Sequence, residues 1–224
     1  PINPKELECV VLTHAHIDHS GLLPRLCAQG FKGPIYCTKA SYELLKILLP
    51  DSAHLQLADL ERAQRKAKLG KWRGDMPMTL YSKQEVETAL MQFEPLDYGQ
   101  KVELAPGIFL EFRNAGHILG SAIAVIDVHE DQDQKKRLVF SGDIGMKGKV
   151  LMPDPEIIEK SDVLVVESTY GDRLHRNLSD TEDELVEVIQ STMRAQGNVI
   201  IPSFAVGRTQ EILFVLIDRK STRL

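Results

Sequence analysis

At 224 residues, with 43% apolar and 26% charged side chains, the chain has the composition of an ordinary globular protein rather than a disordered or collagenous one. Twenty-seven Lys and Arg against 32 Asp and Glu give a formal charge of −5, so no global basic field draws nucleic acid from a distance and any polyanion site must be local. Cys9, Cys27 and Cys37 are odd in number and lack CxxC spacing, which indicates neither a disulfide framework nor a cysteine metal site and fits a reducing cytoplasm. No apolar run approaches the ~18 residues of a membrane-spanning helix. The opening, Pro1 to Glu8, lacks the basic and apolar regions of a signal peptide and has no initiator Met, which suggests an internal start.

In chain order, Cys9 to Thr13 is a β-branched run expected to form a strand buried on both faces, and it opens directly into a histidine cluster. Pro34 to Cys37 reads as a second strand, and Ser41 to Leu49 as a helix stopped by Pro50. Residues 51–94 read as polar and mostly helical. Within them Arg62, Arg65, Lys66, Lys68, Lys71 and Arg73 surround Trp72 in what reads as a helix end and exposed loop. Lys101 to Leu104, Ile108 to Arg113, Ala122 to Val128 and Arg137 to Phe140 are strands punctuated by Pro106-Gly107 and the charged stretch Glu130 to Lys136. Asp162 to Glu167 is a further apolar strand ending in an acid. Ser179 to Glu182 forms a capping box for a helix closed near Gly197, and a strand Asn198 to Pro202 and a helix Thr209 to Ile217 complete the start of a parallel-sheet unit.

The chemistry is concentrated in His14-Ala15-His16-Ile17-Asp18-His19, three imidazoles and a carboxylate just after a strand. Such donors suit zinc or a similar divalent ion. In extended backbone His14 and His16 point the same way and can grip one ion, while the following turn presents Asp18 and His19 to another. His117 and Asp143 stand at strand exits beside glycines, where each can turn toward a shared site, and a bridging aspartate suits ions ~3.5–4 Å apart.

Thr13 to Gly21 resembles the signature of the metallo-β-lactamase fold, with His117 and Asp143 in the order of its later ligand motifs. Val165 to Arg173 and Pro202 to Glu211 are similar to the motifs entering the β-CASP domain of RNA-processing nucleases, nearest to prokaryotic β-CASP ribonucleases and the mRNA 3′-end cleavage factor. The resemblance implies an α/β fold, an αββα sandwich lacking its N-terminal strands over residues 1–173, followed at 174–224 by the beginning of a β-CASP domain. It further implies two Zn²⁺ ions, one held by His14, His16 and His117, the other by Asp18 and His19, with Asp143 bridging. Asp18 and Glu167 take catalytic roles, and the substrate is RNA, hydrolysed at its phosphodiester bonds in the cytoplasm. By the same resemblance an N-terminal Asp motif and two downstream histidines lie outside the chain, so this piece alone is expected to be inactive and poorly stable.

Arg208, at a strand-to-helix turn after Gly207, could bind substrate phosphate, although a surface or salt-bridged arginine is the plainer reading. The basic stretch around Trp72 could contact RNA, against the plainer reading of a solvated loop. His175 is expected near the site without ligating, His54 and His129 at the surface, and Lys220 to Leu224 as a non-native end. Two other functions stay open: a glyoxalase II-like thioesterase, and a non-catalytic scaffold subunit of an RNA-cleavage complex. Endo- or exonuclease action, RNA against DNA, the native metal and the oligomeric state, with a homodimer among the options, are not fixed by the residues.

Overall fold

The structure, a computed structural model, describes residues 2–129, 135–174 and 176–223. His175, most of the charged stretch after His129 and the final Leu224 fall outside the described residues, as do the side chains of the last helical turns. Two compact units divide the chain, Pro1–Val166 and Glu167–Leu224.

The first unit is built on two sheets. A parallel sheet of order β1-β2-β3 joins β1 (Val10–Val11), β2 (Ile35–Thr38) and β3 (Phe93–Leu96), with Val10 opposite Ile35 and Ile35 opposite Phe93. A mixed sheet of order β4-β5-β6-β7-β8 joins β4 (Lys101–Ala105), β5 (Ile108–Asn114), β6 (Ala122–His129), β7 (Lys135–Phe140) and β8 (Val163–Val165), antiparallel except where β8 runs parallel to β7. Helices α1 (Ile17–Ser20), α2 (Leu23–Ala28), α3 (Lys39–Lys68) and α4 (Lys83–Leu90) complete the unit. Leu23, Cys27, Leu45, Leu49 and Val86 from these helices pack on Ile35, Cys37 and Phe93 of the small sheet. Val11 and Tyr36 meet Leu110, Phe112, Ala122 and Ala124 of the large sheet in a second core. This is an α/β architecture of layered sheets, with the site described below at the ends of β1, β5 and β7.

Several expected elements are corrected. Pro50 does not stop the helix begun near Ser41: α3 runs through it to Lys68. A proline inside a helix forfeits one backbone hydrogen bond at a cost of ~3 kcal/mol. Leu45, Leu49 and Ala53, stacked at four-residue spacing against the core, offset that cost by burial. The polar reading of residues 51–94 misses β3, whose Phe93 and Leu96 are buried. β1 is half-buried rather than buried, and β8, although apolar, is exposed along its length. His129 is half-buried, its ring 5.0 Å from that of Phe109, whereas His54 is exposed as expected.

In the second unit, α5 (Leu178–Arg194) is capped not by a Ser179 box but by Asn177, whose Oδ1 accepts from Ser179 N. Residues 198–202 form no strand; an extended run becomes one only beside a partner, and none lies there among the described residues. α6 (Arg208–Arg223) follows Gly207, whose φ of +90° lets the chain turn into the helix.

Candidate metal centre

β1 ends where Leu12 N donates to Tyr36 O, and the next residues deliver the cluster. His14 is fully buried and its ring lies 4.9 Å from His16 and 5.2 Å from His117, with His16 and His117 5.0 Å apart. The three rings stand nearly perpendicular to one another, at 79°, 83° and 77°, so their edges rather than their faces converge. His16 Nδ1 is 3.1 Å from His14 Nε2 and 3.2 Å from His117 Nε2, and Asp143 Oδ2 lies 3.7 Å and 3.5 Å from the latter two nitrogens. One donor atom from each of His14, His16, His117 and Asp143 falls within 4.8 Å of every other.

These spacings fit an ion. Four ligand atoms about 2.0–2.1 Å from a tetrahedral centre are roughly 3.3 Å apart. A hydrogen-bond network does not account for them equally well, because a ring nitrogen carries either one proton or one lone pair and His16 Nδ1 faces two other ring nitrogens at once. Burial, with the neighbouring His19, His16 and His117 adding to it, pushes His14 down to about 3, and burial also lowers His16 against the opposing pull of Asp18 and Asp143. Both rings are therefore neutral near pH 7, the form that binds metal.

Asp143 faces two ways. While Oδ2 looks at His14 and His117, Oδ1 lies 3.5 Å from His19 Nε2, which is itself 3.5 Å from Asp18 Oδ2. Asp18 and His19 thus adjoin the other oxygen of Asp143, with the His19 ring also 4.1 Å from that of His14; Asp18 is 78% exposed, whereas His19, at 33%, is no more open than Asp143 at 32%. All six expected ligands are brought to one place, in a tight group of four and a looser flank of two. Glu167, half-buried, and Arg208, whose guanidinium pairs with Glu211 at 3.2 Å, belong to the second unit.

The loops that carry these ligands are held by residues that sequence reading did not single out. Ser20 Oγ donates to the carbonyls of Ala15 and His16, tying the histidine loop to the end of α1. Thr13 Oγ1 is 3.2 Å from His14 Nδ1, the nitrogen turned away from the cluster, an arrangement that fixes ring orientation. The loop after His117 is clamped from α3: Thr38 Oγ1 and Ser41 Oγ both donate to Gly120 O, at 2.6 and 2.9 Å. Ser121 Oγ accepts from the His117 and Ile118 amides, and Tyr98 donates to Ser121 O. Thr38 also caps α3 through Ser41 N, and a Thr-x-x-Ser start after a strand is the one signal that could have drawn attention to it. Gly142 adopts a φ of +54° and a Cβ there would lie 2.7 Å from Thr13 Cβ, so only glycine lets the chain pass Thr13 and aim Asp143.

A family model described as the metallo-beta-lactamase superfamily matches residues 2–192. Ribonuclease TTHA0252 of Thermus thermophilus is 38% identical over 214 residues, covering 96% of this chain and 44% of that protein. The transcription termination factors FttA of Methanococcus maripaludis and Methanothermobacter thermautotrophicus are each 37% identical, covering 95% and 94% of this chain and 31% and 30% of those proteins. The chain spans less than half the length of these curated relatives.

Proposed function

The chain belongs to the metallo-β-lactamase superfamily, and on that premise we propose that it is the metal-carrying part of a zinc-dependent β-CASP ribonuclease that hydrolyses RNA phosphodiester bonds. The observation that carries the reading is the convergence of His14, His16, His117 and Asp143 in a chain similar along nearly its whole length to a protein named a ribonuclease. His14, His16 and His117 would hold a first ion and Asp18 and His19 a second, with Asp143 offering an oxygen to each. Ions so held supply Lewis acidity toward the phosphoryl oxygens and a nucleophile at neutral pH. Asp143 keeps one carboxylate oxygen for each flank, so both flanks are fixed by one side chain. Asp18, exposed on the open side, is placed to accept a proton from an attacking water. Glu167, in the motif after β8, completes the acid–base set, and Arg208 at the start of α6 contributes a guanidinium to a substrate phosphate. On this reading the metallo-β-lactamase domain passes into the beginning of a β-CASP domain near residue 173, a few residues beyond the division of the two compact units at Val166 and Glu167, and the three free cysteines suit a reducing cytoplasm.

The intact ligand set supports catalysis over a scaffold role, and similarity to a ribonuclease supports RNA over a thioester. The test compares substrates with the full-length zinc-loaded protein. Labelled single-stranded RNA is expected to be cleaved while a glutathione thioester is not; thioester turnover without RNA cleavage contradicts the reading. Arg208→Ala is expected to weaken RNA binding at unchanged zinc content, and loss of zinc instead would assign Arg208 a structural role.

A further inference from the structure

The end of α3 carries a second feature that metal chemistry does not use. Arg65, Lys66, Lys68, Lys71 and Arg73 are all exposed, and among the described residues none of the five has a carboxylate within ion-pair distance. Six other cations of the first unit have carboxylate partners: Lys39 with Asp97, Lys46 with Glu43, Lys101 and Arg137 with Asp127, Arg113 with Glu111 and Glu156, and Arg62 itself with Asp59. Five unpaired positive charges within nine residues, on a chain of net charge −5, form a concentrated local field. Trp72, the sole tryptophan of the chain, sits between Lys71 and Arg73, its indole held in place by a 3.0 Å hydrogen bond from Nε1 to Gly74 O.

We propose that this surface, from Arg65 to Arg73, is an RNA-tracking exosite: the five cations follow the phosphate backbone of single-stranded RNA and Trp72 stacks on one unpaired base. The proposal rests on the ribonuclease reading for the identity of the polyanion. An aromatic face flanked by cations is the arrangement that binds single strands without reading sequence. Its position gives it a defined relation to the metal centre. The N-terminus of α3 is fastened to the loop that carries His117, through Thr38 and Ser41 on Gly120 O, and thirty residues of helix rise roughly 45 Å from there to the basic end. A short oligonucleotide seated at the metals does not reach this surface, whereas a long strand does. The exosite therefore gives long RNA an affinity advantage over short RNA.

The experiment uses the full-length protein loaded with zinc, measuring the affinity and KM of a hexanucleotide and of an unstructured strand of about thirty nucleotides over a range of salt. In the wild type the long strand binds more tightly. In the variant Arg65→Gln/Lys66→Gln/Lys68→Gln/Lys71→Gln/Arg73→Gln the long strand is expected to lose about tenfold or more in affinity, and its log–log salt slope to become shallower by about 3, from ~0.7 per phosphate contact on single strands. Trp72→Ala is expected to weaken the long strand roughly five- to tenfold with the salt slope unchanged, because stacking releases no counterions. An unchanged long-to-short ratio and salt slope in the five-residue variant overturns the exosite, as does an equal loss for both lengths, which would locate the effect at the metal centre. If the variant instead loses retention on phosphatidylglycerol vesicles while RNA binding is unaltered, the surface is a membrane contact and the proposal falls. A wild type that neither binds nor cleaves RNA of either length removes the ribonuclease reading itself, a result distinct from all the others.

Discussion

The two flanks of the metal centre differ in how much of their geometry the protein fixes in advance. On one flank His14, His16 and His117 stand edge to edge with Asp143, His14 has no exposure, and buried hydroxyls brace the supporting loops. On the other, His19 meets the remaining oxygen of Asp143 and lies with its ring 4.1 Å from that of His14, while Asp18, beside His19 on a four-residue helix, is 78% exposed. A preorganised flank binds its ion with little ordering cost, whereas an open one must order its ligands as it binds. The first ion is expected to bind tightly, the second more weakly and exchangeably.

The largest effect should come from the tight flank. His14→Ala removes a ligand with no exposed substitute, and zinc content by elemental analysis and RNA cleavage should both collapse, beyond the 10–100-fold that loss of a merely supporting residue costs. Retention of two ions per chain in this variant would dissolve the contrast between the flanks. Asp18→Asn should lower activity by about tenfold or more and raise the metal concentration needed for half-maximal activity, leaving one tightly bound ion. If added zinc does not restore activity, Asp18 acts on the proton rather than on the metal.

A sharper question is whether the tight flank owes its affinity to its hydroxyl braces. Thr38→Val/Ser41→Ala leaves Gly120 O without its two hydroxyl donors, and a buried carbonyl left unsatisfied costs about 1–3 kcal/mol. Affinity for the first ion should fall about tenfold and thermal stability with it, while the second ion's affinity should move less. Equal weakening at both flanks would mean that the brace acts on the whole fold.

The smallest effect is a pH dependence of the metal-free protein. His14 in the folded chain titrates at about 3 instead of 6.5, so between these values the unfolded chain binds a proton that the folded chain does not. The His14 contribution to stability is therefore flat above about 6.5 and falls as pH drops toward 3; a metal ion bound by the ring would deepen that loss, since acid would also expel it. Urea titrations of the metal-free protein at pH 7 and pH 5 should give a lower midpoint at pH 5, and a higher one would contradict the burial of His14.

The histidine and aspartate cluster was legible in the sequence because metal-binding chemistry confines its residues to a few types at spacings set by local backbone: the His14-to-His19 run needs only a strand followed by a turn. The glycines before His117 and Asp143 added the sharp turns that aim isolated ligands. What stayed hidden depended on packing between distant segments. Pro50 reads as a stop until Leu45, Leu49 and Ala53 are seen against the core, and Thr38 gains meaning only because Gly120 lies 82 residues further along the chain. Asn198 to Pro202 has the composition of a strand, but pairing is a property of its neighbours, and no partner lies there among the described residues.

The most direct measurement is anomalous diffraction at the zinc edge from crystals of the zinc-loaded protein. The account predicts a strong peak bound by His14 Nε2, His16 Nδ1, His117 Nε2 and Asp143 Oδ2, and a weaker one between Asp143 Oδ1, Asp18 and His19 that fades first on dialysis. An empty histidine cluster, with zinc bound elsewhere, would contradict it.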